Sequence, residues 1–156
     1  MRIQALAQGI TLTSLMLGGM LISNQWSRVD ARPAPGTTGF WCDTATLTTL
    51  YQNAEGGTEE WIQWQTQIFE NQGYTPAIRC QQATVRIEAY RAAGRLEYIA
   101  LGESNGLSTI CAAEANGECA SDGLLFTVSP HQDAVMVVSR LLALLEGVSD
   151  APLILE

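Results

Sequence analysis

One run does more than any other to constrain what this chain can fold into: Gly73-Tyr74-Thr75-Pro76-Ala77-Ile78-Arg79-Cys80. Thr75 before Pro76 reads as an N-cap followed by a first helical residue. Cys80, Ala83, Ile87 and Tyr90 then fall three, four and three apart, which puts them on one face of a helix running to about Ala93. Gly94 suits the position just past the end, and Arg91 in the last turn complements the helix dipole. Ile78, Val85 and Ala89 lie on the other side. The stripe through Cys80 is taken as the inner one, because a bridged cysteine must be buried or nearly so. That cysteine ties the helix to another element covalently as well as by packing.

The four cysteines are Cys42, Cys80, Cys111 and Cys119. An even count in a small exported domain favours two disulfides. Of the three pairings, Cys42–Cys80 with Cys111–Cys119 is expected. The second pair needs only a short loop, and the first joins an opening strand to the central helix. In the chain-entropy model these loops contribute roughly 4 and 2.5 kcal/mol. A four-thiolate metal site is disfavoured, since no two cysteines are spaced CxxC.

Export is read from the N-terminus. Met1-Arg2 precedes a mostly apolar run from Ala5 to Ile22, and Val29-Asp30-Ala31 offers small residues for cleavage after Ala31. Residues 1–31 are therefore expected to be a signal peptide. The alternative is an uncleaved anchor, although Gln8, Thr11, Thr13 and Ser14 dilute the run. No cysteine follows the run to mark a bacterial lipoprotein. The whole chain has 8 basic residues, all arginine, against 16 acidic ones. Removing residues 1–31 leaves six and fifteen, a charge of −9. So acidic a surface repels phosphate backbones and anionic headgroups. Nucleic acid is not expected as a partner, and a membrane only through an uncleaved N-terminal segment.

Residues 32–39 read as a linker, 40–147 as one domain and 148–156 as a loose tail. Strands are expected at Phe40–Thr44, Thr46–Gln52, Trp61–Trp64, Leu96–Leu101, Leu107–Ala112 and Leu124–Val128. A short helical turn is expected within Thr66–Gln72, and Asn105-Gly106 marks a hairpin. Ser129, with Gln132 three residues on, resembles a capping box opening a second helix. Its stripe is Val135, Val138, Leu142 and Leu145, joined by Ala134, Leu141 and Leu144, and Gly147 ends it. The economical arrangement is α+β: an antiparallel sheet of five or six short strands with both helices packed on one face, clipped by two disulfides.

Several of these residues occur in a recognisable order. Phe40-Trp41-Cys42 comes first, then Gly73-Tyr74-Thr75-Pro76 with Arg79-Cys80, then Ile87 and Tyr90. A hairpin ending at Cys111 follows, and Cys119 precedes Leu124-Leu125-Phe126-Thr127. From about Phe40 to Glu146 this resembles the cyanobacterial circadian oscillating protein domain. The resemblance implies a small exported or membrane-associated four-cysteine domain, in the periplasm or the thylakoid lumen. It brings no catalytic residues with it. Where the family tends to bulkier residues on the central helix, this chain has Ala83 and Ile87.

Catalytic constellations are sparse. His131 is the only histidine, with Asp133 and Glu146 its nearest acids in sequence, and it reads as an ordinary surface residue of a helix first turn. No serine sits in a G-x-S-x-G setting. Glu114, Glu118 and Asp122, with Asn116 and Gly117, miss the calcium-loop spacing and read as a solvated loop. Arg79, Arg86, Arg91 and Arg95 are expected to form a salt-bridged helix surface rather than an anion site. Trp61 and Trp64 lie an odd number apart in one strand and should face opposite sides, one in the core and the other exposed or under a helix. They are the candidate binding surface, for a sugar or a protein. The expectation is a non-catalytic exported domain, without cofactor or metal, that binds a protein or a cell-envelope component. The alternative is an envelope hydrolase using scattered carboxylates.

Overall fold

The structure is a computed structural model and describes residues 31–156. The expected leader therefore lies, but for Ala31, outside the described residues. The elements follow in chain order as β1 (Gly39–Asp43), β2 (Thr48–Gln52), β3 (Thr58–Trp64), a short 3-10 turn (Glu70–Gln72), α1 (Pro76–Ala92), β4 (Tyr98–Ser104), β5 (Leu107–Ala113), β6 (Cys119–Thr127), α2 (Ala134–Leu145) and β7 (Leu153–Leu155). The α+β class holds, but a single sheet does not form. The strands make two sheets, one ordered β1-β2-β3-β7 and one ordered β4-β5-β6. Nor do the helices share one face: α1 packs on β1, β2 and β3 and also on β6, while α2 packs on β4, β5 and β7.

Local chemistry explains most element ends. Thr75 caps α1 through its side-chain oxygen, which accepts from the Ile78 N–H, and Pro76 takes the first helical position. The inward face of α1 carries Cys80, Ala83, Ile87 and Tyr90, as the stripe requires. Beyond its C-cap, Gly94 turns at φ 67. Asn105 and Gly106 both have positive φ (52 and 75), the conformation a two-residue β4–β5 hairpin needs.

The second helix starts later than the expected cap at Ser129. Ser129 is buried in the preceding turn, and Gln132 donates to the Ile154 carbonyl instead of reaching back to a helix end. Asp133 caps α2, accepting from Val135 and Met136 N–H groups. The buried face shifts accordingly to Val137, Leu141 and Leu144, and Val135 is left 64% exposed.

The C-terminal stretch is not a loose tail. Leu153 and Leu155 are buried, and β7 pairs in parallel with β3 through Ile62, Gln63 and Trp64. Residues 32–39 are likewise pinned: buried Gln52 donates to the Ala34 and Thr37 carbonyls and accepts from Arg32. Both disulfides form as expected, Cys42–Cys80 between β1 and α1 and Cys111–Cys119 between β5 and the start of β6.

One core joins the two sheets. It contains Phe40, Trp61, Ile62 and Trp64 from the first sheet, Ile110, Leu125 and Phe126 from the second, and residues of both helices. Trp64 and Phe126 meet edge to face at 5.3 Å across the junction. Helix α1 contacts strands of both sheets. The Glu88 carboxylate accepts from the Phe40 N–H at the free edge of β1. Arg79 and Arg86 donate to the Thr127 and Leu125 carbonyls at the free edge of β6. Exposed edge groups invite further pairing. Here side chains of α1 bond to some of these groups.

Candidate functional site

The residues singled out as a binding surface are not on the surface. Trp61 is 7% exposed and Trp64 fully buried. The alternation rule fails because β3 carries an extra residue: Thr49 pairs with Ile62 but Leu50 pairs with Glu60, which leaves Trp61 in a bulge. Trp61, Ile62 and Trp64 consequently enter the same core cluster. Trp61 meets Phe40 edge to face and Tyr51 at a tilt, at 4.7 and 5.9 Å between ring centroids. Trp64 donates its ring N–H to Thr49 Oγ1 at 2.9 Å, and Thr49 in turn is hydrogen-bonded to Thr84.

The acidic loop is also committed internally. Arg95 lies between Glu114 and Asp122, at 3.7 and 3.6 Å, and Asp122 accepts from the Tyr90 hydroxyl at 2.6 Å. That hydrogen bond holds the Asp122 carboxyl below its ordinary range. Burial, and then the Asp122 bond, push the Tyr90 phenol up. Glu118 accepts from Asn116. His131 is exposed in the turn before α2, and the ion pairs of the described residues do not include it.

The arginines separate into two kinds. Arg91 grips Glu88 with two N–H donors at 2.7 Å each, and Arg95 faces its two acids. Arg79 and Arg86 differ: among the described residues neither has a carboxylate within ion-pair distance. The expected salt-bridged surface is thus true of only half the cluster. Arg79 is 93% buried, the complement of its 7% exposure, between the rings of Phe69 and Trp64, 4.8 and 5.2 Å from their centroids. One of its terminal nitrogens donates to the Thr127 carbonyl at 2.8 Å, and the other, also buried, has no acceptor among the described residues. Burial pushes its pKa down to about 10, which still leaves the guanidinium charged at neutral pH.

Both unpaired arginines line a cavity of about 410 Å³ between α1, the outer edge of β6 and the β4–β5 turn. Gln82, Ser104 and Asn105 add neutral polar groups, and Phe126, Leu107 and Leu124 an apolar wall. Among the described residues no acidic one lines it, in a chain with twice as many acids as bases. Such a mixture of an apolar wall and a few convergent polar groups is what small-ligand sites are made of. A second, more open cleft of about 530 Å³ reaches Trp61, Tyr51 and Leu145, but its arginine, Arg91, is already held by Glu88. Sequence reasoning found the arginines but misjudged two of them. Spacing tells which share a helical side, whereas the absence of nearby acids depends on β6, nearly 40 residues on.

Two disulfides in the folded domain imply an oxidising, exported environment. No helix among the described residues is long and apolar enough to cross a membrane. No curated protein and no solved structure matches the chain. A family model, circadian oscillating protein COP23, matches residues 39–156, from the first residue of β1 through β7. The chain belongs to the circadian oscillating protein COP23 family.

Proposed function

We propose that the chain is a non-catalytic exported domain of the periplasm or thylakoid lumen that acts by binding a protein or an envelope component. The cavity between α1 and the β6 edge is the contact site. The observation that carries this reading is the buried Arg79 charge, which lines the cavity with Arg86 and has no acid beside it among the described residues. A buried charge left without a counter-charge is costly to a fold, and a partner that supplies one gains what the fold lacks.

Pull-down from envelope fractions tests this directly, with the wild type beside a Gln82→Trp variant that fills the cavity. A partner held by the wild type and lost by the variant is expected, with both proteins melting alike. A partner retained equally by both would move the contact away from the cavity. Absence of any partner, together with turnover in an unbiased substrate screen, would favour the hydrolase built on scattered carboxylates.

A further inference from the structure

We propose that the cavity recognises the carboxylate of an organic anion whose apolar body lies along Phe126, Leu107 and Leu124. This deepens the reading that the chain binds through that cavity, and rests on it. Each guanidinium carries five N–H donors, and one hydrogen bond to a β6 carbonyl is recorded for each. The remaining donors of Arg79 and Arg86, two turns apart on one helix, suit an acceptor group seated between them. The aromatic pair around Arg79 offsets part of the missing counter-charge, because a ring face attracts a cation, but rings accept no strong hydrogen bond. The lowered Arg79 pKa is what an unneutralised, desolvated guanidinium shows.

The kind of anion follows from the surroundings. A planar carboxylate matches the guanidinium fork in two parallel hydrogen bonds. The chain as a whole carries −8, so a dianionic or polyanionic ligand meets greater repulsion on approach than a monoanion does. The apolar wall gives no partner to a fully hydrated inorganic ion but covers an aromatic or aliphatic group. At about 410 Å³ the cavity holds a body the size of one amino-acid residue with its end group. A free aromatic acid and the C-terminal residue of a peptide share this chemistry.

The test compares N-acetyl-phenylalanine, its uncharged amide, a short peptide ending in phenylalanine and inorganic phosphate, each titrated into the oxidised chain. Amide shifts of α1 and β6 and tryptophan fluorescence are followed, since Trp64 lies against Arg79. The acid should bind saturably and the amide at least about tenfold more weakly, the ratio expected for losing a charge-assisted hydrogen bond. Arg86→Gln should bring the acid down to the level of the amide in a chain that stays folded at the titration temperature. Arg79→Gln should do the same; should it unfold, the half-exposed Arg86 decides alone. A peptide that binds more tightly than the free acid assigns the site to chain termini, and the reverse assigns it to small acids. Acid and amide binding equally would overturn the carboxylate assignment but leave the cavity as a binding site. Phosphate binding more tightly than the acid would overturn it too. Silence from all four probes sinks the carboxylate inference, while the pull-down with Gln82→Trp judges the wider binding reading separately.

Discussion

Thr49 shows how much of this fold depends on single polar atoms out of contact with water. Its hydroxyl is fully buried, accepts from the Trp64 ring N–H and bonds Thr84 on α1. Thr49→Val keeps the shape and strands both partners, so a loss of about 1–3 kcal/mol is expected, read from the urea midpoint. A shift below about 0.5 kcal/mol would mean that the two stranded groups find other partners. Tyr90 and Asp122 make a bond whose worth depends on pH. The Asp122 carboxyl titrates lower in the folded chain than in the unfolded one. The stabilisation is therefore present above the ordinary carboxylate range and fades as pH falls through the lower, folded value. Tyr90 is raised, so at the alkaline end the same bond is complete below the ordinary phenol value and fades above it. Tyr90→Phe should flatten stability against pH below the ordinary carboxylate range, in denaturant midpoints measured at constant salt. Parallel curves for the two proteins would refute this linkage.

At the scale of elements, α1 is legible almost completely from sequence. Its cap, its first proline, its inner stripe and its terminal glycine are all local signals, and local signals do not depend on how the chain turns elsewhere. Three features were not legible, each for its own reason. The bulge at Trp61 is a mismatch between two strands, so the residues of β3 alone do not show it. The later start of α2 comes from Gln132 reaching Ile154, a contact set by the return of the C-terminus. The division into two sheets is long-range too: Glu88, Arg79 and Arg86 bond to strand edges, where sequence shows only charges on a helix. The disulfides were legible because topology leaves few workable pairings. They also differ in expected weight. Cys42–Cys80 closes a separation of 38 residues and Cys111–Cys119 one of 8. Removing the first by a paired Cys→Ala change should cost about 4 kcal/mol and the second about 2.5, if the cost lies in the unfolded chain. Equal costs in urea, or the reverse order, would show that native packing at each bridge governs instead. Gly102 bears on that comparison. A methyl group there would come within 2.9 Å of the Cys119 sulfur, so the second bridge is packed from the neighbouring strand as well.

For the molecule as a whole, the two sheets hold together through the core and through α1, and the last strand completes the first sheet from the far end of the chain. β7 is three residues long, yet Leu153 and Leu155 are 5% and 1% exposed and lie against Ile62 and Trp64 in register. The Leu155 carbonyl accepts from the Gln65 and Thr66 N–H groups, which fixes the chain where it leaves β3. From there it runs through Phe69, one of the two rings around Arg79, into α1. Loss of β7 therefore reaches the cavity through the segment that supports its wall. Deleting residues 152–156 should remove about 3–6 kcal/mol, the burial of two leucine side chains. It should also weaken any ligand of the cavity by more than the fraction of unfolded protein accounts for. Both follow from one set of samples: urea unfolding for the first, and titration with N-acetyl-phenylalanine at a temperature where the truncated chain stays folded for the second. A truncated chain with wild-type stability would mean that β7 merely rests on the sheet. One that is destabilised but binds unchanged would confine the role of β7 to the core and sever it from the site.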